Sequence, residues 1–286
     1  MLNFTISTES ACDLPDEVIK KYDLKIAPMK FLINGVEFRS DDESFSTSQV
    51  CKFMKEGAST KTSQITEYEA QEYFENLLKE GKDILHLSFS GAMSSTAENF
   101  RRASETLNKT NDNKIYVIDT LCQSGGLGLL VNIVADYANK NTASIQDAFD
   151  YANAIKLNIA HFFTVDDLKY LARGGRISST TALIGNIIKI KPVLHLNNEG
   201  RIVQFQKVIS RKKALAVLVE KVRECWNNEY NTIYISQADA IDEATEIAKT
   251  IENELNANCV IVPLGAVVCN HSGPGTIAVF FTTKNR

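Results

Sequence analysis

The chain has 286 residues, 44% of them apolar and 23% charged, with a formal net charge of −4 and a pI near 5.7. That balance excludes a disordered chain, and the acidic excess argues against a nucleic-acid binder, which carries a basic face. No run of about 18 apolar residues occurs, so no spanning helix is expected. Met1 to Thr5 leads straight into a strand-like segment without the basic and apolar regions of a signal peptide, and a cytoplasmic protein is expected.

Phe4–Ser7 reads as the first strand, and Asp13-Leu14-Pro15 as a helix start with Asp13 at the N-cap and Pro15 in the first turn. Lys25–Ile33 reads as one strand ending in an Asn34-Gly35 turn. Thr66 to Glu69 fits a capping box for a helix running to about Glu80, and Ser95 to Glu98 fits a second one. Strands are expected at Ile84–Ser88 and Ile115–Asp119, then helices at Leu127–Asn139 and Ile145–Asn158. This alternation predicts a parallel sheet flanked by helices.

Beyond residue 159 the pattern changes. Lys191–Leu196 and Arg201–Val208 flank a four-residue hairpin loop, Asn197 to Gly200. Helices Lys212–Trp226 and Ile241–Leu255 follow, with strands near Thr232–Ser236, Cys259–Pro263 and Thr276–Thr282. The expectation is an α/β protein of two domains: an α/β domain over 1–159 and an α+β domain with an antiparallel sheet over 160–286. Six cysteines without a C-x-x-C pair read as free thiols, and four scattered histidines give no metal site.

Small hydroxyl residues collect where ligands sit in open parallel sheets, beyond the carboxyl ends of strands. They are Ser7 to Ser10, Thr62-Ser63-Gln64, Ser90 to Ser95, and Thr120 with Gln123-Ser124-Gly125-Gly126. Ser94 precedes a helix start, where free N–H groups and the helix dipole favour a carboxylate or phosphate. Ser and Thr also gather at helix starts simply because they cap helices, and that reading stays open for each loop. Gly-Gly-Leu-Gly at 125–128 departs from G-x-G-x-x-G, so a dinucleotide site is poorly supported.

These same stretches resemble the DegV family, which includes the fatty-acid-binding subunit of bacterial fatty acid kinase. Ser7 to Pro15 is similar to T-D-S-x-x-D-L-P, with Glu9 for the Asp; Thr62-Ser63-Gln64 matches T-S-Q; Ser90 to Thr96 resembles S-S-x-L-S-G-T, with Ser95 for the Gly. Val117 to Gly128, Leu168 to Ser178 (containing Arg173-Gly174-Gly175-Arg176) and on to Leu194, and His271-Ser272-Gly273-Pro274-Gly275 complete six motifs in family order.

The resemblance implies a long-chain fatty acid such as palmitate, with no other cofactor, held between the two domains. Thr62 and Ser94 would hold its carboxylate, with Ser63, Ser95 and His271 in the same polar network. It further implies that the protein carries the acid without catalysis and presents it to a fatty acid kinase, which would dock around Arg173 and Arg176. Ordinary solvated charge is the competing reading of that patch, which Arg211, Lys212 and Lys213 extend. Ile209 stands where kinase-serving relatives often carry Arg, and Arg201 and Arg211 lie nearby in sequence. Apolar candidates for the tail are Phe162, Phe163, Leu168, Leu171, Leu183, Ile184, Ile187, Ile188 and Ile190. The alternative is an acyl hydrolase using Ser94 with His271 and an aspartate, or Cys122 with His271; the absence of G-x-S-x-G around Ser94 weighs against it.

Overall fold

Strands that are apolar on both faces must be covered on both sides, and the two principal sheets of this chain are built that way. The computed structural model describes residues 2–42, 45–177 and 190–286. A parallel sheet of order β2-β1-β6-β7 is formed by β1 (Phe4–Glu9), β2 (Lys25–Ala27), β6 (Asp83–Ser88) and β7 (Ile115–Asp119). A small antiparallel sheet, β4-β3-β5, comprises β3 (Lys30–Ile33), β4 (Val36–Arg39) and β5 (Thr60–Ser63). The third, β10-β9-β8-β13-β11-β12, is antiparallel except for its β11–β12 pair. Its strands are β8 (Ile159–Thr164), β9 (Ile190–Leu196), β10 (Ile202–Ile209), β11 (Thr232–Gln237), β12 (Asn258–Pro263) and β13 (Ile277–Thr282).

The helices among the described residues are α1 (Asp16–Tyr22), α2 (Thr47–Lys55), α3 (Glu67–Leu78), α4 (Thr96–Leu107) and α5 (Ser124–Asn141). They continue with α6 (Ile145–Ile155), α7 (Lys169–Arg173), α8 (Arg211–Cys225), α9 (Ile241–Leu255) and α10 (Ala266–Ser272). The expected class holds: a parallel sheet flanked by helices, then a largely antiparallel sheet with helices.

Period-two alternation sorts the six-stranded sheet. Ile277, Val279 and Phe281 of β13 enter the core beneath α8 and α9, whereas Ala278 and Phe280 face the opposite way, toward α5. The parallel sheet divides likewise: Ile84 and Ile115 meet Phe74 and Phe100 of α3 and α4, while Leu85 and Leu87 meet α5. One apolar cluster therefore runs from Phe4 through Leu127–Ala138 to Phe280 and draws on both halves of the chain.

That closeness depends on the glycines opening α5. A Cβ at Gly125 would lie 2.8 Å from Ser236 Oγ and 2.9 Å from the Phe280 ring; one at Gly128 would lie 2.4 Å from the Cys12 carbonyl oxygen. The glycine-rich run is a packing device between two layers of structure.

Local signals succeeded where the chain itself closes them. Thr66 and Glu69 form the reciprocal capping box, and Asn34 and Gly35, at φ 52° and 83°, make the tight β3–β4 turn. Four expectations are corrected. Asp13 does not cap α1; it is left-handed (φ 48°) and buried, accepting hydrogen bonds from Ser124 Oγ and, at 3.0 Å, Gly265 N. Ser95 caps nothing with its side chain; Ser94 Oγ accepts from Thr96 N at 3.2 Å instead. Lys25–Ile33 is two strands in different sheets, separated at Pro28, which has no N–H to continue a ladder. Helix α5 begins at Ser124, three residues before the expected Leu127.

Gly128→Ala should cost about 1–3 kcal/mol in urea unfolding, because a backbone carbonyl cannot turn aside as a side chain can. An unchanged midpoint would mean that α5 and the Cys12 turn are not in this contact.

Candidate functional site

A cavity of about 980 Å³ opens where the loops after β5 and β6, the start of α5, the turn after α7, the β9–β10 region and α10 come together over one face of the six-stranded sheet. Thr62, Ser63, Ser94, Ser95 and His271 all line it, so the expected polar residues share one space. Phe163, Leu171, Leu194, Leu196, Ala278 and Phe280 supply an apolar wall. Phe162 does not: it points to the opposite face and stacks on His195 and Phe281. Leu168 belongs to the core and Ile190 is not in the wall. Leu183, Ile184, Ile187 and Ile188 lie outside the described residues.

Thr62 is the second of two threonines on one face of β5. Its Oγ1 is 2.7 Å from His271 Nε2, and Thr60 Oγ1 accepts from Arg173 Nη2 at 2.7 Å. His271 sits in the last turn of α10, which ends at Gly273 in a left-handed conformation (φ 81°) with the Tyr170 ring packed where a Cβ would stand. A Cβ at Gly174 would lie 2.2 Å from His271 Nδ1. The Tyr170–Arg176 and His271–Gly275 stretches, nearly a hundred residues apart, therefore interlock, each using glycine to admit the other's ring.

Burial, followed by the positive charges of Arg176 and Arg173, lowers the His271 pKa to about 4. The ring is neutral at pH 7, with one proton to place. Nδ1 is buried with no hydrogen-bond partner among the described residues, so the proton belongs on Nε2, which donates to Thr62 Oγ1. The threonine hydroxyl hydrogen is thereby left free to donate to a ligand.

Ser94 Oγ is 2.9 Å from Thr96 Oγ1, which in turn accepts from Ile65 N at 3.3 Å, tying the loop after β6 to the Thr62 loop. Two carboxylates brace that same loop, Glu9 fully buried and Asp119 partly so. Glu9 accepts from Ser88 Oγ and, at 2.9 Å, from Phe89 N. Asp119 Oδ1 accepts from Gly91 N and Leu121 N, each at 3.0 Å. Sequence reasoning marked Glu9 only as a departure from a motif; its role follows from full burial at the end of β1, which the mixed Phe-Thr-Ile-Ser-Thr-Glu segment does not signal.

The cations divide. Arg173 is exposed and outside the cavity, whereas Arg176 is half-buried in its wall, donating to the Gly174 carbonyl. No carboxylate pairs with Arg176 among the described residues, and burial lowers its pKa. Arg211 is held by Glu243 at 2.8 Å and Asp166 at 3.7 Å; Ile209 is 65% exposed, facing solvent rather than the site. Arg201 does line the cavity. Neither hydrolase arrangement forms. His271 meets Thr62 rather than Ser94 or an aspartate, and buried Cys122 contacts Arg286 and the Lys156 carbonyl.

The family model described as DegV, a family of uncharacterised proteins, matches residues 3–284. The chain belongs to the DegV family. A DegV domain-containing protein of Clostridium perfringens is 35% identical over 98% of both chains. Among solved structures, a fatty acid binding DegV family protein of Streptococcus agalactiae superposes with a TM-score of 0.86 at 28% identity over the whole of both chains. A stearic acid-binding protein of Eubacterium ventriosum gives 0.86 at 25% identity over 98% of both. The DegV motifs thus coincide with the cavity wall and its bracing rather than being spread over the surface.

The His271 environment has a signed consequence for this DegV protein. A folded pKa near 4 against 6.5 unfolded contributes stability that is complete above 6.5 and lost as pH falls through 4. His271→Gln keeps a partner for Thr62 but cannot titrate. Its stability relative to wild type should improve by roughly 1–3 kcal/mol between pH 7 and pH 4, measured by denaturant unfolding across that range; a constant difference would mean that the ring is not buried neutral.

Proposed function

We propose that this protein binds one long-chain fatty acid, such as palmitate, in the 980 Å³ cavity, and carries it without catalysis. The observation that carries the reading is a single cavity with two chemistries: hydroxyls, a neutral histidine and a guanidinium with no carboxylate partner among the described residues, beside a broad apolar wall. The carboxylate lies against Thr62 and Ser94, with Ser63, Ser95 and His271 around them and Arg176 as counter-charge. The tail follows Phe163, Leu194, Leu196 and Phe280.

Magnitudes fit this ligand. Burying a sixteen-carbon chain gains on the order of 12 kcal/mol at about 0.8 kcal/mol per methylene, and association entropy removes much of that. A buried carboxylate is tolerated only with several donors or a nearby cation, and this wall offers both. Catalysis lacks support: among the described residues Ser94 meets Thr96 rather than a base, and the Thr62–His271 pair has no carboxylate behind the imidazole.

In this reading residues 1–159 and 160–286 are two domains with the ligand at their seam, and the protein works in the cytoplasm, a compartment that suits its six free thiols. A fatty acid kinase receives the bound acid at the surface around Arg173, which is exposed and linked through Thr60 to the strand bearing Thr62.

Denaturing extraction followed by mass spectrometry should release near-stoichiometric long-chain fatty acid. Thr62→Ala and Ser94→Ala should each weaken binding of the acid by roughly 10- to 150-fold, and of the equal-length alcohol much less. Titrations in which both variants bind the acid like wild type would remove the carboxylate from these loops. Separately, Arg173→Glu should block acyl-phosphate formation with the host's kinase subunit and ATP while leaving fatty-acid affinity unchanged; loss of both would make Arg173 structural.

A further inference from the structure

Helices α2 and α10 meet through sulfur. Cys51 in the middle of α2 and Cys269 in the middle of α10 are both fully buried, and their Sγ atoms are 3.5 Å apart. They are 218 positions apart in sequence and belong to helices with no covalent reason to be paired. Both ends of α2 are fastened as well: Thr47 Oγ1 donates to the Leu264 carbonyl at 2.6 Å, two residues before α10 begins, and Lys55 pairs with Asp239. The other four cysteines have no thiol neighbour among the described residues.

Cys269 and His271 lie two residues apart on α10, so they project from different sides of one short helix. One side touches α2 and the other holds Thr62. Anything that pulls on Cys269 is therefore felt at the polar end of the cavity. A disulfide needs its sulfurs about 2.05 Å apart, so closing this contact draws the helices together by up to about 1.5 Å.

We propose that Cys51 and Cys269 are an oxidation site for a small two-electron oxidant such as hydrogen peroxide, and that forming their disulfide shifts His271 and weakens ligand binding. The Cys51 sulfur attacks a peroxide oxygen; the O–O bond breaks, and the departing hydroxide takes the thiol proton as water, leaving a sulfenic acid on Cys51. The Cys269 sulfur then attacks that sulfur; the S–S bond forms, the S–O bond breaks, and hydroxide leaves with the Cys269 proton as a second water. Each thiol gives up one electron and the peroxide gains two. The hydrogen bond between the thiols lowers the pKa of Cys51, which marks it as the attacking sulfur. Local opening of the nine-residue helix α2 admits the oxidant.

The coupling to ligand rests on the fatty-acid reading above, whereas the disulfide does not. The test treats reduced, whole protein with a small excess of hydrogen peroxide. A mass loss of about 2 Da, a linked Cys51–Cys269 peptide in a non-reducing digest, and altered His271 ring signals by NMR are expected. Palmitate affinity should fall at least about fivefold, recover with dithiothreitol, and be insensitive to peroxide in Cys51→Ala and Cys269→Ala. Mass gains from separately oxidised thiols without the linked peptide would overturn the site. A linked peptide with unchanged His271 signals would overturn the coupling. Altered His271 signals in a protein that binds no palmitate in either state would leave the site standing and remove the fatty-acid reading.

Discussion

The rest of the structure depends on the close approach of α5 to its neighbours. Its first turns are buried on every side, against the parallel sheet below and β8, β11 and β13 above. Side chains at 125, 126 and 128 would occupy space already held by Phe280, His161 and the Cys12 carbonyl. Three glycines in four positions would weaken an isolated helix by roughly 1 kcal/mol each. Here burial of Leu127, Leu129, Leu130 and Val131 outweighs that loss. Two sheets drawn onto one helix share a core, and the cavity forms where that core stops.

The polar end of the cavity is organised by charge that is kept unspent. Some cations of this chain are engaged by carboxylates, as Arg211 is by Glu243 and Arg101 by Glu98. Arg176 instead spends its hydrogen bond on a backbone carbonyl and lends its field to the cavity, where burial first and then this charge suppress protonation of His271. A neutral imidazole is a directional donor and a protonated one is a diffuse charge, so this arrangement favours geometry over attraction. Asp13 is the counterpart on the far side of the wall. Burial raises its pKa to about 7, opposed by its bonds from Ser124 and Gly265, and it ties the starts of α5 and α10 together.

Much of this was legible in the sequence because local chemistry and tertiary structure agree. The Thr66–Glu69 box, the Asn34-Gly35 turn and the 241–255 helix need only their own residues. What could not be read were features defined by distant partners. Asp13 before Leu-Pro has the form of a helix cap, and only the arrival of Gly265 makes it a cross-brace. Ile159–Thr164 (Ile-Ala-His-Phe-Phe-Thr) is short, mostly apolar and follows the α6 pattern without a turn signal, so its strand character is not legible from periodicity. Arg173 and Arg176 look alike in the motif. One turn of chain places the first outside the cavity and the second in its wall.

Part of that wall is made by Ile202, Val203 and Gln204, at the start of β10, which is the edge of the six-stranded sheet. An edge strand is held by a ladder on one side only, and this ladder is interrupted by a register shift between Gln204 and Gln206. The stretch bordering the cavity is therefore joined to β9 by a short ladder ending at the Asn197–Gly200 loop. The wall of the cavity thus includes backbone whose hydrogen bonds can open at the hairpin without unpairing β9 from β8 behind it.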